Sequence, residues 1–290
     1  MKTVKNRKAD LHMHTKASDG TDTLEKRIED AKEKGLNAIA VTDHDTVNEG
    51  LEKRSFKAEN GIEVITGSEI KCRVKGEKIE ILAYFLDPEE TELKELFEEL
   101  SDRREKRMKE FVENLNEAHG LGLEIEELLE KADGNVGRPH LAETIVEKGV
   151  VDSHQEAFDR FIGSEHDEYV AVEKVSAEKV IQAVHENGGV TSLAHPGRSL
   201  TESGAEEVVK ELKSKGLDGL EVEYTYKQKK GLDSYTINFG TEKASELAEE
   251  FDLVKTGGSD CHGSGSEKYF LGDVKVPYSR VNELKNMSGK

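Results

Sequence analysis

The chain has no tryptophan, only four prolines and only two cysteines among its 290 residues. Cys72 and Cys261 stand far apart and in no CxxC spacing, which argues against a secreted disulfide framework. We find no signal-peptide pattern and no apolar run of transmembrane length. We therefore expect a cytoplasmic protein that has no membrane partner.

Positive charge is also scarce in this sequence. Lys and Arg number 42 against 61 Asp and Glu, so the formal net charge is −19. Binding to duplex nucleic acid depends on clustered cations that displace counterions, which makes a duplex partner improbable here. Hydrophobic residues form 34% of the chain and recur in distinct segments, so we expect a folded protein with a substantial core.

Seven strand-like runs alternate with helical segments along most of the chain. The runs cover 9–14, 37–44, 62–70, 78–86, 189–195, 217–224 and 252–260. Helices are predicted at 23–35, 176–189, 205–216 and 241–251 from apolar spacing, Ser or Thr caps and glycine stops. This alternation predicts an α/β fold of parallel strands with crossover helices, closed as a (βα)7 barrel or open as a doubly wound sheet.

Residues 91–170 interrupt this alternation because they contain no convincing strand. Their apolar spacing predicts one long helix, followed by shorter helices around 124–131, 140–148 and 153–161. We therefore expect a barrel built from 1–90 and 171–290, with a helical insertion over 91–170 that packs over the active site. The cationic residues of the long helix form either a solvated face or a contact with a second phosphate or an RNA backbone: Arg103, Arg104, Lys106, Arg107 and Lys109.

Histidines and acids gather where the predicted strands end. His12 and His14 are two residues apart in an extended run, so both imidazoles face one side, and Asp19 follows in the next loop. Four further predicted strands lead to His44, Glu69, His195, and the pair Asp260 and His262. The carboxyl ends of parallel strands form one edge, where active sites assemble in α/β folds. Imidazoles and carboxylates collected there are ligands for Zn, Mn or Fe.

The segments "DLHMHTKASDGTDT", "AVTDHDT", "GSEI", "AHPG" and "TGGSDCHG" resemble the signatures of the PHP (polymerase and histidinol phosphatase) family. The resemblance runs from about residue 9 to about residue 263. It implies a distorted seven-stranded (βα) barrel that holds two or three divalent metal ions and hydrolyses phosphate esters.

The resemblance also implies how the ligands divide among the metal ions. A first ion would take His12, His14, Glu69 and Asp260. Glu69 would bridge to a second ion that also takes His195, and a third would take Asp19, His44 and His262. The segment "GRPHLA" is similar to a motif of the subgroup containing nucleoside 3′,5′-bisphosphate phosphatases and the exoribonuclease RNase AM. Its histidine, His140, would reach the second ion from the insertion.

The chemistry implied is attack on phosphorus by a metal-bridging hydroxide, since clustered metals neutralise phosphate oxygens and activate water. Arg138 and Arg198 are candidates to hold a substrate phosphate through a bidentate fork. The substrates expected are phosphate monoesters of nucleotides, such as nucleoside 3′,5′-bisphosphates or AMP, or the 5′ ends of short RNA.

Three other functions stay open at this point. A histidinol-phosphate phosphatase is one, although "GRPHLA" and the acid at Asp19 count against it. A non-catalytic metal-binding module is the second, and its ligand positions would ordinarily be eroded. A metal-dependent amidohydrolase is the third, but no lysine stands at a strand end.

Overall fold

A computed structural model of the chain describes residues 7–132, 136–171, 173–226, 237–266 and 271–289. The chain divides into two compact units. We call Met1–Leu96 with Lys174–Lys290 the barrel unit, and Phe97–Glu173 the helical unit.

The described part of the barrel unit contains ten strands that join one sheet. They are β1 (Lys8–Asp10), β2 (Ala38–Val41), β3 (Ser55–Lys57), β4 (Glu63–Val74), β5 (Glu77–Tyr84), β6 (Val175–Ser176), β7 (Val190–Leu193), β8 (Gly219–Tyr224), β9 (Val254–Gly258) and β10 (Val276–Pro277). Each of the seven predicted strand runs overlaps one of these strands. The short strands β3, β6 and β10 were not predicted.

The sheet runs in the order β10-β1-β2-β4-β5-β7-β8-β9, and backbone contacts between the segments that extend β1 and β9 close it. Leu11 N donates to Gly257 O at 3.1 Å, and His14 N donates to Cys261 O at 2.9 Å. These bonds bring the first and seventh predicted strands side by side. The predicted distorted (βα)7 barrel is therefore confirmed.

One strand departs from the parallel arrangement that the sequence pattern predicts. β5 runs antiparallel to both β4 and β7, whereas β1–β2, β2–β4, β7–β8 and β8–β9 are parallel pairs. Lys75 and Gly76 connect β4 to β5, and both have positive φ, at 48° and 86°. A two-residue turn of this kind favours a hairpin over a crossover. The expectation of uniformly parallel strands was wrong at this point.

Helices surround the barrel unit, and their ends follow the caps seen in the sequence. They are α1 (Leu24–Glu33), α6 (Ala177–Glu186), α7 (Pro196–Ser199), α8 (Glu202–Ser214), α9 (Thr241–Glu250) and α10 (Ser279–Met287). Thr23 caps α1 by accepting a hydrogen bond from Lys26 N, and Gly35 follows the helix with φ of 72°. Ile65 and Leu82 belong to one buried hydrophobic cluster, and Ile39 belongs to a second cluster that includes Leu24 and Ala31 of α1.

The helical unit has a hydrophobic core of its own. Its helices are α2 (Thr91–His119, which begins before the unit), α3 (Ile125–Lys131), α4 (Arg138–Glu147), α5 (His154–Ala157) and a π-helical turn at Phe158–Ile162. Phe111, Leu115, Leu128, Leu141 and Ile145 are buried together. No helix in the described ranges is both long enough and apolar enough to cross a membrane.

Candidate metal centre

Eight of the nine predicted ligands lie together at one rim of the barrel unit. These residues are His12, His14, Asp19, His44, Glu69, His195, Asp260 and His262. Seven of them follow the ends of strands, where the chain leaves the sheet. Glu69 is different because it lies inside the long strand β4, not at its end as expected.

The first ligand group is fully enclosed by protein. His12, His14, Glu69 and Asp260 each offer one ligand atom, and these atoms lie within 4.8 Å of one another. His14 Nε2 lies 3.1 Å from Asp260 Oδ1 and 3.4 Å from Glu69 Oε2, while His12 Nε2 lies 3.3 Å from the same Glu69 oxygen. This is the set that the resemblance to the PHP family implies for a first ion.

The second ligand group lies beside the first and opens toward solvent. Asp19 Oδ1 is 3.2 Å from His262 Nε2, and Asp19 Oδ2 is 3.7 Å from His44 Nε2. His14 belongs to this group as well, since its Nδ1 is 3.8 Å from Asp19 Oδ1. The Asp19 side chain is 52% exposed, so this end of the cluster is accessible to a ligand.

The third ligand group includes a residue that the sequence analysis missed. His195 Nε2 lies 2.8 Å from Glu69 Oε1 and 3.3 Å from Glu80 Oε2, and Glu80 also groups with His44 and Glu69. Glu80 reaches this position because the hairpin pairs β5 with β4, placing Glu80 opposite Lys71 and on the same face as Glu69. The available sequence signal was one carboxylate within the apolar run "KIEILAYFL".

The donor atoms of this cluster fit divalent transition metal ions. His12 Nε2 and His14 Nδ1 are buried and, among the described residues, have no hydrogen-bond partner. Buried polar atoms in folded proteins almost always have a partner, and a coordinated cation supplies one. Imidazole nitrogens combined with carboxylate oxygens are the ligand types that Zn, Mn and Fe accept. The cluster could therefore hold metal ions.

The side chains of the cluster shift one another's pKa values in opposite directions. Burial lowers the pKa of His12, but the nearby carboxylates of Glu69, Glu221 and Asp260 outweigh burial and hold this pKa well above its usual value. Burial and the neighbouring imidazoles of His262 and His44 lower the pKa of His14 to about 3. A divalent ion in the cluster would replace the bound protons, because ligands bind in their deprotonated forms.

Glu221 is a buried carboxylate behind the ligands, and it was also missed. Its Oε1 lies 3.1 Å from His12 Nδ1, and its Oε2 accepts a hydrogen bond of 2.7 Å from the backbone N–H of His195. A carboxylate at Nδ1 favours the tautomer that leaves Nε2 bare for a metal. The same carboxylate fixes the backbone of His195 through the bond to its N–H. The φ of His195 is 25°, a positive value that is unusual for a residue other than glycine.

Arg198 and Tyr224 orient the Asp260 carboxylate. Arg198 Nη1 donates to Asp260 Oδ2 at 3.0 Å, and Tyr224 Oη donates to the same oxygen at 2.8 Å. Asp260 Oδ1 is left to face His12 and His14. Arg198, predicted as a phosphate ligand, thus supports a predicted metal ligand, and Tyr224 was not predicted at all.

Close backbone approach requires glycine at two points of the rim. A Cβ at Gly258 would lie 2.3 Å from His12 Cβ, and one at Gly20 would lie 2.8 Å from the carbonyl oxygen of His14. The loop that carries Asp19 is further held by Asp43, which accepts bonds from Thr15 N and from the hydroxyls of Thr15 and Ser18. The ligand positions are therefore set by packing and hydrogen bonds of the protein itself.

Two predicted site residues belong to the helical unit. His140 lies in the first turn of α4, where its Nδ1 accepts a hydrogen bond of 3.1 Å from Gly137 N. Arg138 begins the same helix and donates to the carbonyl oxygen of Ile162 at 3.4 Å. Residues 134 and 135, which precede the "GRPH" segment in the predicted motif, lie outside the described residues, as do 227–236 after β8.

The profile of the PHP domain matches residues 10–223 of the chain. The chain belongs to the PHP family. This PHP chain is 31% identical over 258 residues to a 5′-3′ exoribonuclease of Haemophilus influenzae, covering 88% of the chain and 90% of the relative. It is 25% identical to a 3′,5′-nucleoside bisphosphate phosphatase of Chromobacterium violaceum, with 88% and 87% covered.

A solved structure resembles the whole PHP chain. It is a protein from Bifidobacterium adolescentis described as a metal-dependent phosphoesterase, with a TM-score of 0.77 and 28% sequence identity. The match covers 98% of each chain. Family, fold and the clustered ligand atoms therefore agree with one another.

Proposed function

We propose that this PHP protein is a metal-dependent hydrolase of phosphate esters on nucleotides or on the 5′ ends of short RNA. The observation that carries the proposal is the convergence of five imidazoles and four carboxylates at one rim of the barrel. The relatives support the substrate class, since one is named an exoribonuclease and another a nucleoside bisphosphate phosphatase.

We propose two or three divalent ions of Mn, Fe or Zn as cofactors. The first ligand group, His12, His14, Glu69 and Asp260, would hold the first ion. Glu69, Glu80 and His195, described above as the third ligand group, would hold the second ion. Asp19, His44 and His262 of the second ligand group would hold the third ion. Bound divalent ions would neutralise phosphate oxygens, lower the pKa of a coordinated water and stabilise the leaving oxygen.

The charge of the pocket favours three ions over two. Asp19, Glu69, Glu80 and Asp260 contribute four negative charges when the imidazoles are neutral. Two divalent ions would only cancel these charges, whereas three leave the pocket positive. A positive pocket attracts a phosphate dianion to a protein whose net charge is −19.

Arg198 is the protein group that we propose to touch substrate phosphate. A guanidinium has five N–H donors in a planar fork, so it can hold a phosphate oxygen while it stays bonded to Asp260. The roles of Arg138 and His140, and the packing of the helical insertion over the active site, remain predictions. A cytoplasmic location is likewise a prediction.

The decisive experiment measures bound metal together with phosphate release. The substrates would be AMP, adenosine 3′,5′-bisphosphate, histidinol phosphate and a 5′-phosphorylated RNA oligomer. We expect release from a nucleotide or from RNA, and loss of both metal and activity in His14→Ala and Asp260→Asn. The exposed His154→Ala serves as the control. Metal binding without any phosphate release would instead favour the non-catalytic module, and a preference for histidinol phosphate would favour that phosphatase.

A further inference from the structure

A fully buried arginine lies on the inner face of α1. Arg27 shares this face with Leu24 and Ala31, at the three- and four-residue spacing that usually carries apolar side chains. Its side chain is 0% exposed, although a guanidinium in a protein always carries its charge. Burying a charge is a costly way to stabilise a fold, and apolar residues can often replace a buried ion pair without loss of stability. The position of Arg27 therefore indicates a role other than stability.

The guanidinium of Arg27 contacts two segments that carry metal ligands. Its Nε donates to the carbonyl oxygen of His14 at 3.2 Å, and its Nη1 donates to Cys261 Sγ at 3.2 Å. His14 follows β1, whereas Cys261 follows β9 and stands between the ligands Asp260 and His262. One planar group thus joins the segment after the first strand to the segment after the seventh predicted strand.

The carboxylate of Asp22 extends this contact to the loop of Asp19. Asp22 Oδ2 lies 3.1 Å from Arg27 Nη2 and accepts a hydrogen bond of 2.9 Å from Ser264 N, while Asp22 Oδ1 accepts one of 2.8 Å from the Ser264 hydroxyl. Asp22 is three residues after Asp19 in the chain, and Ser264 is two residues after His262. Arg27 and Asp22, which we call the buried pair, therefore fix the loop after β1 to the loop after β9.

The backbone beside the buried pair leaves no room for another side chain. Gly263 follows the ligand His262 and has a φ of 113°. A Cβ at Gly263 would lie 2.8 Å from Arg27 Nη2 and closer still to Thr21 Oγ1. Thr21 N also donates to the carbonyl oxygen of His262 at 2.7 Å. Because the two loops pack this closely around the guanidinium, a change in its position would shift the ligands that they carry.

We infer that the buried pair positions the ligands of the ion proposed at Asp19, His44 and His262, which we call the outer ion. This inference rests on the proposed function. The Asp19 side chain is 52% exposed, so its position depends mainly on how its loop is held. The buried pair holds that loop against the loop of His262, and ligands that are already in place bind a metal ion more tightly. Arg27 acts through the residues that it holds, so it is a positioning residue.

The test is a Mn²⁺ titration of the metal-free full chain, followed by the electron paramagnetic resonance signal of free Mn²⁺. This signal gives the number of bound ions and their affinities, and Asp19→Asn identifies the outer ion as the one whose binding it removes. The test variant is Arg27→Met, and the matched control is Arg54→Met. Arg54 also donates to backbone carbonyl oxygens, but those of Phe85 and Asn187 lie near the start of β7, opposite the end that leads to the ligands.

We expect Arg27→Met to weaken binding of the outer ion about 10- to 100-fold, the range typical for groups that orient metal ligands, while the other ions stay bound. Arg27→Lys keeps a positive charge beside Asp22 but replaces the planar fork with a single ammonium group, so it should weaken the outer ion as well. Arg54→Met should bind every ion as wild type does.

A double variant separates positioning from stability. Arg27→Met alone leaves the Asp22 carboxylate without its cation, whereas Arg27→Met with Asp22→Asn removes both charges and keeps an amide oxygen for Ser264 N. We expect the double variant to melt at a higher temperature than Arg27→Met and still to bind the outer ion weakly. If the affinity for the outer ion recovered together with the melting temperature, the pair would be merely structural and the inference overturned.

The inference is also overturned if folded Arg27→Met and Arg27→Lys bind the outer ion like wild type, or if Arg54→Met weakens it as much as they do. Equal loss of every ion would overturn it too, because the pair would then not act on one site. Should Arg27→Met unfold, Arg27→Lys provides the second arm, with circular dichroism as the check on its fold.

Failure of the inference and failure of the proposed function give different results. If Asp19→Asn removes no ion, there is no outer ion to position, and the inference fails while hydrolysis with two ions stands. If wild type binds no divalent metal ion at all, the proposed function itself is wrong.

Discussion

Glu221→Gln changes one oxygen to an amide nitrogen in the carboxylate behind the metal centre. The side chain is fully buried and contacts His12 Nδ1 and His195 N. If the amide oxygen keeps the bond from His195 N, the new NH₂ group faces His12 Nδ1 and donates to it. His12 must then carry its proton on Nε2, the atom that faces Glu69 and Asp260. A protonated Nε2 cannot bind a metal ion.

The expected effect is a 10- to 100-fold loss of metal affinity, the range typical for removal of such a supporting carboxylate. That range is about 1.4 to 2.7 kcal/mol, which agrees with the worth of one hydrogen bond to a charged group. The assay is competition with a chelator of known affinity, followed for Mn²⁺ and Zn²⁺. Glu223→Gln is the matched control, because Glu223 lies two residues further along β8 and is exposed.

Retention of wild-type metal affinity by folded Glu221→Gln would refute this reasoning, whatever happened to activity. An equal loss in Glu223→Gln would also refute it, because the effect would then come from net charge and not from the orientation of His12. Circular dichroism of the metal-free proteins would confirm that both variants are folded.

Three further predictions concern other parts of the barrel unit. Glu80→Gln should reduce the metal bound per chain, measured by elemental analysis, because Glu80 contacts His195 in the third ligand group. Gly258→Ala should lower the free energy of unfolding by about 1–3 kcal/mol or more in a denaturant titration, since the new methyl group would overlap His12 Cβ. The hydrogen bond from His185 to Asp218 at 2.8 Å raises the pKa of His185, so this pair should stabilise the fold below about pH 6.5 and lose that effect as pH rises through the raised pKa.

Each of these three predictions has its own control. Glu77→Gln changes an exposed acid on the same strand as Glu80 and should leave metal content unchanged. Gly240→Ala introduces a methyl group where nothing lies within 4 Å, and a loss equal to that of Gly258→Ala would contradict the steric argument. For His185→Gln, the difference in melting temperature from wild type should shrink between pH 6 and pH 9, and a constant difference would disprove the linkage.

Local patterns in the chain were enough to predict most elements and most of the site. Alternating apolar runs predicted the seven main strands, and caps such as Thr23 predicted helix ends, because both depend on neighbouring residues alone. Two pairs of ligands were also recognisable in the sequence, His12 with His14 and Asp260 with His262. Residues two apart in an extended strand place their side chains on the same face of the sheet. A parallel sheet then implied that these pairs would meet at one rim.

Folding decided the rest, because the relevant contacts join residues far apart in sequence. The direction of β5 depends on the turn at Lys75 and Gly76, and only that hairpin carries Glu80 to His195. In the sequence, Glu221 and Tyr224 have no feature that distinguishes them from other strand residues. Only the closed barrel places Glu221 beside His12 and Tyr224 beside Asp260. Periodicity predicts which face a side chain takes, whereas the packing of the whole unit decides its partners, which lie 36 residues away for Tyr224 and Asp260 and 209 for Glu221 and His12.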